Sequence, residues 1–244
     1  MASVKDFYEY LNFIAPFDTQ EDWDNSGLLA GDPDAEVKKA AVVLDITVEA
    51  IRQAHTLGAD LIISHHPLIF EPLKSVVKGT PAYELISRGM NAICCHTPLD
   101  IAQGGTNDTL AKLLGFEVHA GDDPILRFGT ISETDTKNLA QHIGKALNTT
   151  VRYADAGKPV KKIAICTGSG CSLLSQAGDI DAFITGDASH HNFLDALQEG
   201  ISVIAAGHYE TEVLVVPVLK EKLAEHFKDT EIIEIKQDNP VNFC

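Results

Sequence analysis

Apolar residues recur along the chain in short dense runs, separated by breaks rich in glycine and polar residues. Leu61-Ile62-Ile63 is one such run, bounded by Gly58 before it and Pro67 after it. A short apolar run between turn signals predicts a buried strand. Residues 39–45 predict another strand, and residues 91–95 a third. Between the first two, Thr47 can cap a helix that runs to about Leu57 and closes at Gly58. Residues 82–88 predict a further helix ended by Gly89. Strand, helix and strand in that order imply a crossover and parallel pairing. Residues 18–34 are turn-rich and predict an ordered loop, in which Trp23 either anchors the loop or leaves Asp24 and Asn25 to line a site. Asn107 or Asp108 is expected to cap a helix over residues 109–114. Further on, residues 127–131 and 151–153 predict strands and residues 135–147 a helix.

The pattern then repeats. Residues 161–166 parallel residues 38–43, residues 181–185 parallel residues 60–64, and residues 200–208 parallel residues 89–96 with one extra residue. Matches at successive elements in the same order predict an internal duplication. The expected fold is α/β, with two related halves, mainly parallel central strands, a pseudo-twofold relation and a site in the cleft between them. The halves are placed at 1–124 and 125–244.

Composition narrows the function classes. The chain has 244 residues and is 45% apolar, enough for a substantial core. Its formal charge of −16 opposes phosphate backbones and anionic lipid surfaces, so neither nucleic acid nor membrane is an expected partner. No run approaches the roughly 18 apolar residues of a membrane span. The start lacks a basic segment followed by a long apolar one, which points to a cytoplasmic protein. The five cysteines, Cys94, Cys95, Cys166, Cys171 and Cys244, include no CxxC pair and are expected to be reduced thiols.

The candidate chemistry sits at the ends of the predicted strands. His65 and His66 end one strand, and open α/β sheets hold ligands at such carboxyl ends. His96 and Asp100 follow the next strand at a spacing of four, with Pro98 between them predicting a loop. His208 and Glu212 have the same spacing and lie on one helix face if a helix starts near Gly207. Imidazoles with carboxylates and no thiolate suit Zn, Fe or Mn. The set exceeds the needs of one tetrahedral ion, which makes two divalent ions and a metal-bound hydroxide a coherent expectation. His96 reads as a group that orients the ligands, and His190, with His191, as a residue of the cleft. Residues 167–170, Thr-Gly-Ser-Gly, resemble an anion cradle at a helix start but lack the Gly-Lys-Ser/Thr of a P-loop.

Five motifs together resemble the Nif-three-like family, also called dinuclear metal-centre hexameric proteins or GTP cyclohydrolase I type-2 homologues. They are Trp23-Asp24-Asn25-Ser26-Gly27-Leu28, Ser64-His65-His66-Pro67, His96-Thr97-Pro98-Leu99-Asp100, Thr185-Gly186-Asp187 with His190, and Gly207-His208-Tyr209-Glu210-Thr211-Glu212. The resemblance implies that the two-metal ligands are His65, His66, Asp100, His208 and Glu212. It also implies a cytoplasmic homohexamer and a hydrolase acting on a small anionic nucleotide such as GTP, with phosphates held by Lys74 and Lys78 or by amides near Gly168. A non-catalytic metal-handling or regulatory protein is the alternative. Asp187, where the family often has Glu, and the less glycine-rich 167–170 turn are departures that bear on substrate and not on ligands.

Overall fold

The computed structural model describes residues 2–242. Cys244 therefore lies outside the described residues. The chain forms two sheets, and its contacts divide it into two units. The first unit combines residues 1–102 with residues 215–238, and the second combines 103–214 with 239–244. The division thus falls at residue 102 where the sequence suggested 124, and a later segment returns to the first unit.

The first unit opens with α1 (Val4–Ile14), whose capping box pairs the Ser3 side chain with Asp6. Then follow β1 (Gly27–Ala30), β2 (Lys39–Val43), α2 (Val48–Thr56), β3 (Leu61–Ser64), α3 (Pro81–Ser87), β4 (Asn91–Cys94) and α4 (Thr97–Ile101). Every residue of β3 and β4 is buried, which is why both read as unbroken apolar runs. Ala41, Val43, Ile51, Ile62, Leu85 and Ala92 share the core of this unit. Burying a side chain such as Ile62 is worth roughly 1.5–3 kcal/mol.

The second unit contains α5 (Thr106–Leu114), β5 (Val118–Ala120), β6 (Arg127–Thr134), α6 (Thr136–Leu147), β7 (Arg152–Ala154), β8 (Val160–Cys166), β9 (Ala182–Thr185), α7 (His190–Gln198), β10 (Ser202–Ala205) and α8 (His208–Glu212). Leu110, Ile143, Ile163, Ile165, Ile184 and Ile204 form its core. Asp135 caps α6 by accepting from the Asn138 amide at 2.7 Å. Asp135→Ala is expected to cost about 1 kcal/mol, read as a lowered denaturation midpoint. Finally α9 (Val215–His226) and β11 (Glu231–Glu234) return to the first unit, where β11 pairs in parallel with β2 and Phe227 stacks on Phe7 at 3.8 Å.

The strand order is β1-β4-β3-β2-β11 in one sheet and β5-β6-β8-β9-β10-β7 in the other. Each contains a parallel trio, β2-β3-β4 or β8-β9-β10, so the duplication is present in the topology. It extends to single hydrogen bonds. Asp60 accepts from the amides of Lys38 and Lys39, and Asp181 accepts from those of Lys161 and Lys162. Burial pushes the Asp181 carboxyl up, but those amides and Lys158 outweigh it and hold it below the usual range.

Several sequence expectations need correction. Residues 18–34 contain a strand, β1, antiparallel to β4. Pro98 does not break the chain into a loop: it lies in the first turn of α4, where no intrahelical N–H is needed. The N-cap of α5 is Gly105, and Asn107 and Asp108 lie inside its first turn. There the Asp108 carboxylate accepts from the Gly104 amide and from Arg127. The segment after residue 169 is a 3-10 helix, Gly170–Gln176, and not an α-helix.

Candidate metal centre

In the first unit β3 and β4 end side by side, with Ser64 opposite Cys94. The residues that follow them, His65, His66 and His96, place one ring nitrogen each within 4.8 Å of the others. His65 is 1% exposed. Its Nδ1–H donates to the Cys95 carbonyl at 3.1 Å, since a carbonyl can only accept. That bond leaves the Nε2 lone pair directed at the Asp100 side, with Asp100 Oδ1 3.6 Å away. His66 Nδ1 donates to Asp45 Oδ1 at 2.8 Å, and His96 Nδ1 to Asp24 Oδ1 at 2.7 Å.

The second unit repeats this chemistry with different residues. His208 Nδ1 donates to Asp187 Oδ2 at 2.8 Å, and its Nε2 lies 2.9 Å from Glu212 Oε2, one helical turn on. Glu212 is 4% exposed. Each of the four rings therefore has Nδ1 committed to a protein acceptor, which makes Nε2 the atom that can face a ligand. This carboxylate- or carbonyl-to-histidine arrangement fixes the tautomer in which Nε2 can ligate a metal. The donor set thus fits divalent ions on its own chemistry. Asp187→Ala is expected to lower metal affinity about 10–100-fold with little change in stability, because Asp187 is half exposed. Competition with a chromophoric chelator measures it.

The duplication explains how the halves came to differ. Ser64 pairs with Cys94, and Thr185 with Ala205, so His96 corresponds to Gly207 and not to His208. Both are helix N-caps, of α4 and α8. The His-x-x-x-carboxylate pairs are thus one residue out of phase. By the same register His65 corresponds to Gly186. A Cβ at Gly186 would stand 2.8 Å from His208 Cα and 2.7 Å from the Gly168 carbonyl.

The Asp24 side chain is fully buried. It accepts from His96, from the Asn25 amide, from the Ser26 hydroxyl, and from the Thr97 amide and hydroxyl. Burial pushes this carboxyl up, but His96 and the other donors outweigh it and hold it well below the usual carboxylate range. Trp23 is not a core anchor; it is 54% exposed. Asn25 Nδ2 donates to the Ile69 carbonyl at 2.5 Å and so ties the loop to the chain after His66. His190 lies exposed in the first turn of α7 beside His191, and it is Asp187 that holds His208.

The 167–170 turn packs closely against Thr211 and Glu212 of α8. The Gly168 amide donates to Thr211 Oγ1 at 3.2 Å. A Cβ on Gly168 would lie 1.9 Å from Glu212 Oε1 and 3.2 Å from His208 Nε2. Burial pushes the Cys94 and Cys95 thiols up and Cys171 up to about 11, which suits structural thiols better than ligands. Sequence reasoning missed Asp45 and Asp187 as the carboxylates that hold His66 and His208. Both sit two residues past a strand end, and Asp187 also lies in the Thr185-Gly186-Asp187 motif.

Comparison with known proteins agrees with these motifs. The model of the Duf34/NIF3 (NGG1p interacting factor 3) family matches residues 2–240. A Campylobacter jejuni protein named GTP cyclohydrolase 1 type 2 homolog is 38% identical over 215 residues, covering 86% of this chain and 87% of its own. A Helicobacter pylori protein named GTP cyclohydrolase 1 type 2 is 33% identical over 223 residues, covering 87% and 88%. Among solved structures, a Staphylococcus aureus protein superposes with a TM-score of 0.87 at 27% identity, covering 100% and 99%. Reduced HcgD from Methanocaldococcus jannaschii gives 0.85 at 29%, covering 97% and 98%. Among the described residues no helix is long and apolar enough to cross a membrane.

Proposed function

The chain belongs to the Duf34/NIF3 family, and we propose that it is a metal-dependent hydrolase whose two divalent ions are held by His65, His66, Asp100, His208 and Glu212. The observation that carries this reading is the shared state of the rings: each Nδ1 is bonded to a protein acceptor, leaving Nε2 as the ligating atom. Zn, Fe and Mn all suit this donor set. Bound there, such ions would supply Lewis acidity and lower the pKa of a water molecule towards neutrality. His96 is kept outside the ligand set. Asp24 holds its Nδ1–H, so its Nε2 is the atom that can accept a proton from the reacting water and return it to a leaving group. Names of relatives support a purine nucleotide such as GTP as substrate. The family resemblance supports a homohexamer in the cytoplasm, which light scattering on the eluted protein tests.

Formate release from GTP by protein loaded with Zn, Mn or Fe tests the reaction. The expected result is turnover that is lost in His65→Ala and in Glu212→Ala. No formate from the loaded wild type, or equal release from both variants, removes the hydrolase reading. Metal retained without turnover would favour the metal-handling alternative.

A further inference from the structure

We propose that Trp23 and Phe70 form a platform for a planar heteroaromatic ring of the ligand, beside His96. This rests on the reading of a nucleotide-type substrate and adds the side chains that select it. Both rings are large, apolar and close to half exposed, at 54% and 47%. They pack together at 5.7 Å between centroids, and both meet the His96 ring edge-on, at 5.8 Å and 6.2 Å. The exposed aromatic surface is thus continuous with the ring cluster of the candidate metal centre.

The platform is built, not loose. Trp23 precedes the buried Asp24, whose carboxylate takes five hydrogen bonds. Phe70 follows Ile69, whose carbonyl is held by Asn25. Two exposed aromatic rings fixed in this way forgo burial and lose little entropy when a third ring stacks on them. The chain beyond Phe70 carries Lys74 and Lys78, both exposed, in a protein whose net charge is −16. An anionic ligand with a planar ring requires cations as well as an aromatic face, and these two are the cations nearest to Phe70 in the sequence. A ligand with phosphates and no ring would gain nothing from Trp23 and Phe70. A second copy of this chain would bury both rings without regard to ligand.

Trp23 is the one tryptophan of the chain, so its emission reports this position alone. The protein, with and without added Zn, is titrated with guanosine, GTP and tripolyphosphate, exciting beyond the purine absorption. Saturable quenching is expected with guanosine and GTP but not with tripolyphosphate. Phe70→Ala is expected to weaken guanosine binding about tenfold. The proposal is overturned if GTP binds by equilibrium dialysis without quenching Trp23, if tripolyphosphate quenches as strongly as guanosine, if Phe70→Ala leaves guanosine affinity unchanged, or if Trp23 emission shifts on dilution alone. Guanosine binding without formate release would leave the platform standing and remove only the hydrolase reading. Turnover of GTP without any quenching would do the reverse.

Discussion

Gly168→Ala is expected to cut metal affinity by about 100-fold or more while leaving the chain folded. The backbone at Gly168 has φ +54, a region that costs an L-residue about 1–2 kcal/mol. The larger effect is local. The new methyl group would fall 1.9 Å from Glu212 Oε1, and Glu212 is buried. Its carboxylate must move, and with it goes one of the five proposed ligands. His208 Nε2, 3.2 Å from the same methyl, must give by a few tenths of an ångström. Gly178→Ala is the control: its φ is +63, but nothing lies within 4 Å of its Cβ. That variant should show the backbone cost, about 1 kcal/mol, and normal metal affinity. Chelator competition and urea denaturation on the two variants separate strain from ligand loss.

Asp24→Asn is expected to destabilise the first unit by about 3–5 kcal/mol. All five groups around the Asp24 carboxylate are donors. An amide nitrogen accepts nothing, so either orientation of the asparagine turns N–H groups against N–H or O–H groups. With the nitrogen in the place of Oδ1, His96 also loses the bond that fixes its tautomer. The pH dependence has a definite sign. The carboxyl is held below its usual range in the fold and titrates near 4 when unfolded, so the unfolded chain binds more protons in acid. Its contribution is complete above about pH 5 and declines as the pH falls further. The gap between wild type and Asp24→Asn, measured by circular dichroism during urea denaturation, should be widest near neutrality and narrow towards pH 3.

The central strands were legible because β3, β4, β9 and β10 are buried throughout, while β2 and β8 carry buried apolar runs at residues 40–43 and 163–166. The duplication was legible for a related reason: Asp60 and Asp181 each begin a strand and each tie down two lysine amides of the preceding one. Of the four edge strands only β7 was legible. β1 and β5 are short and only partly buried, and their pairing depends on partners far along the chain. The return of β11 to β2 is likewise a tertiary fact with no local signature.

For the candidate site, the residue types and spacings picked out His65, His66, His96, Asp100, His208 and Glu212, and the family resemblance set His96 apart from the other five. What fixes the rings was hidden. Asp45 meets His66 only because β2 and β3 pair in a particular register, and Gln237 bonds the Leu44 and Asp45 amides from the returning segment. The one-residue phase difference between His96 and His208 was visible as an insertion. Its meaning required the strand register, which equates His96 with Gly207.

Elemental analysis of protein purified without chelator tests the central claim most directly. The account predicts about two equivalents of Zn, Fe or Mn per chain, falling to less than about half of that in His65→Ala and in Glu212→Ala. A wild-type chain carrying no transition metal, or two variants that keep the full complement, would contradict it.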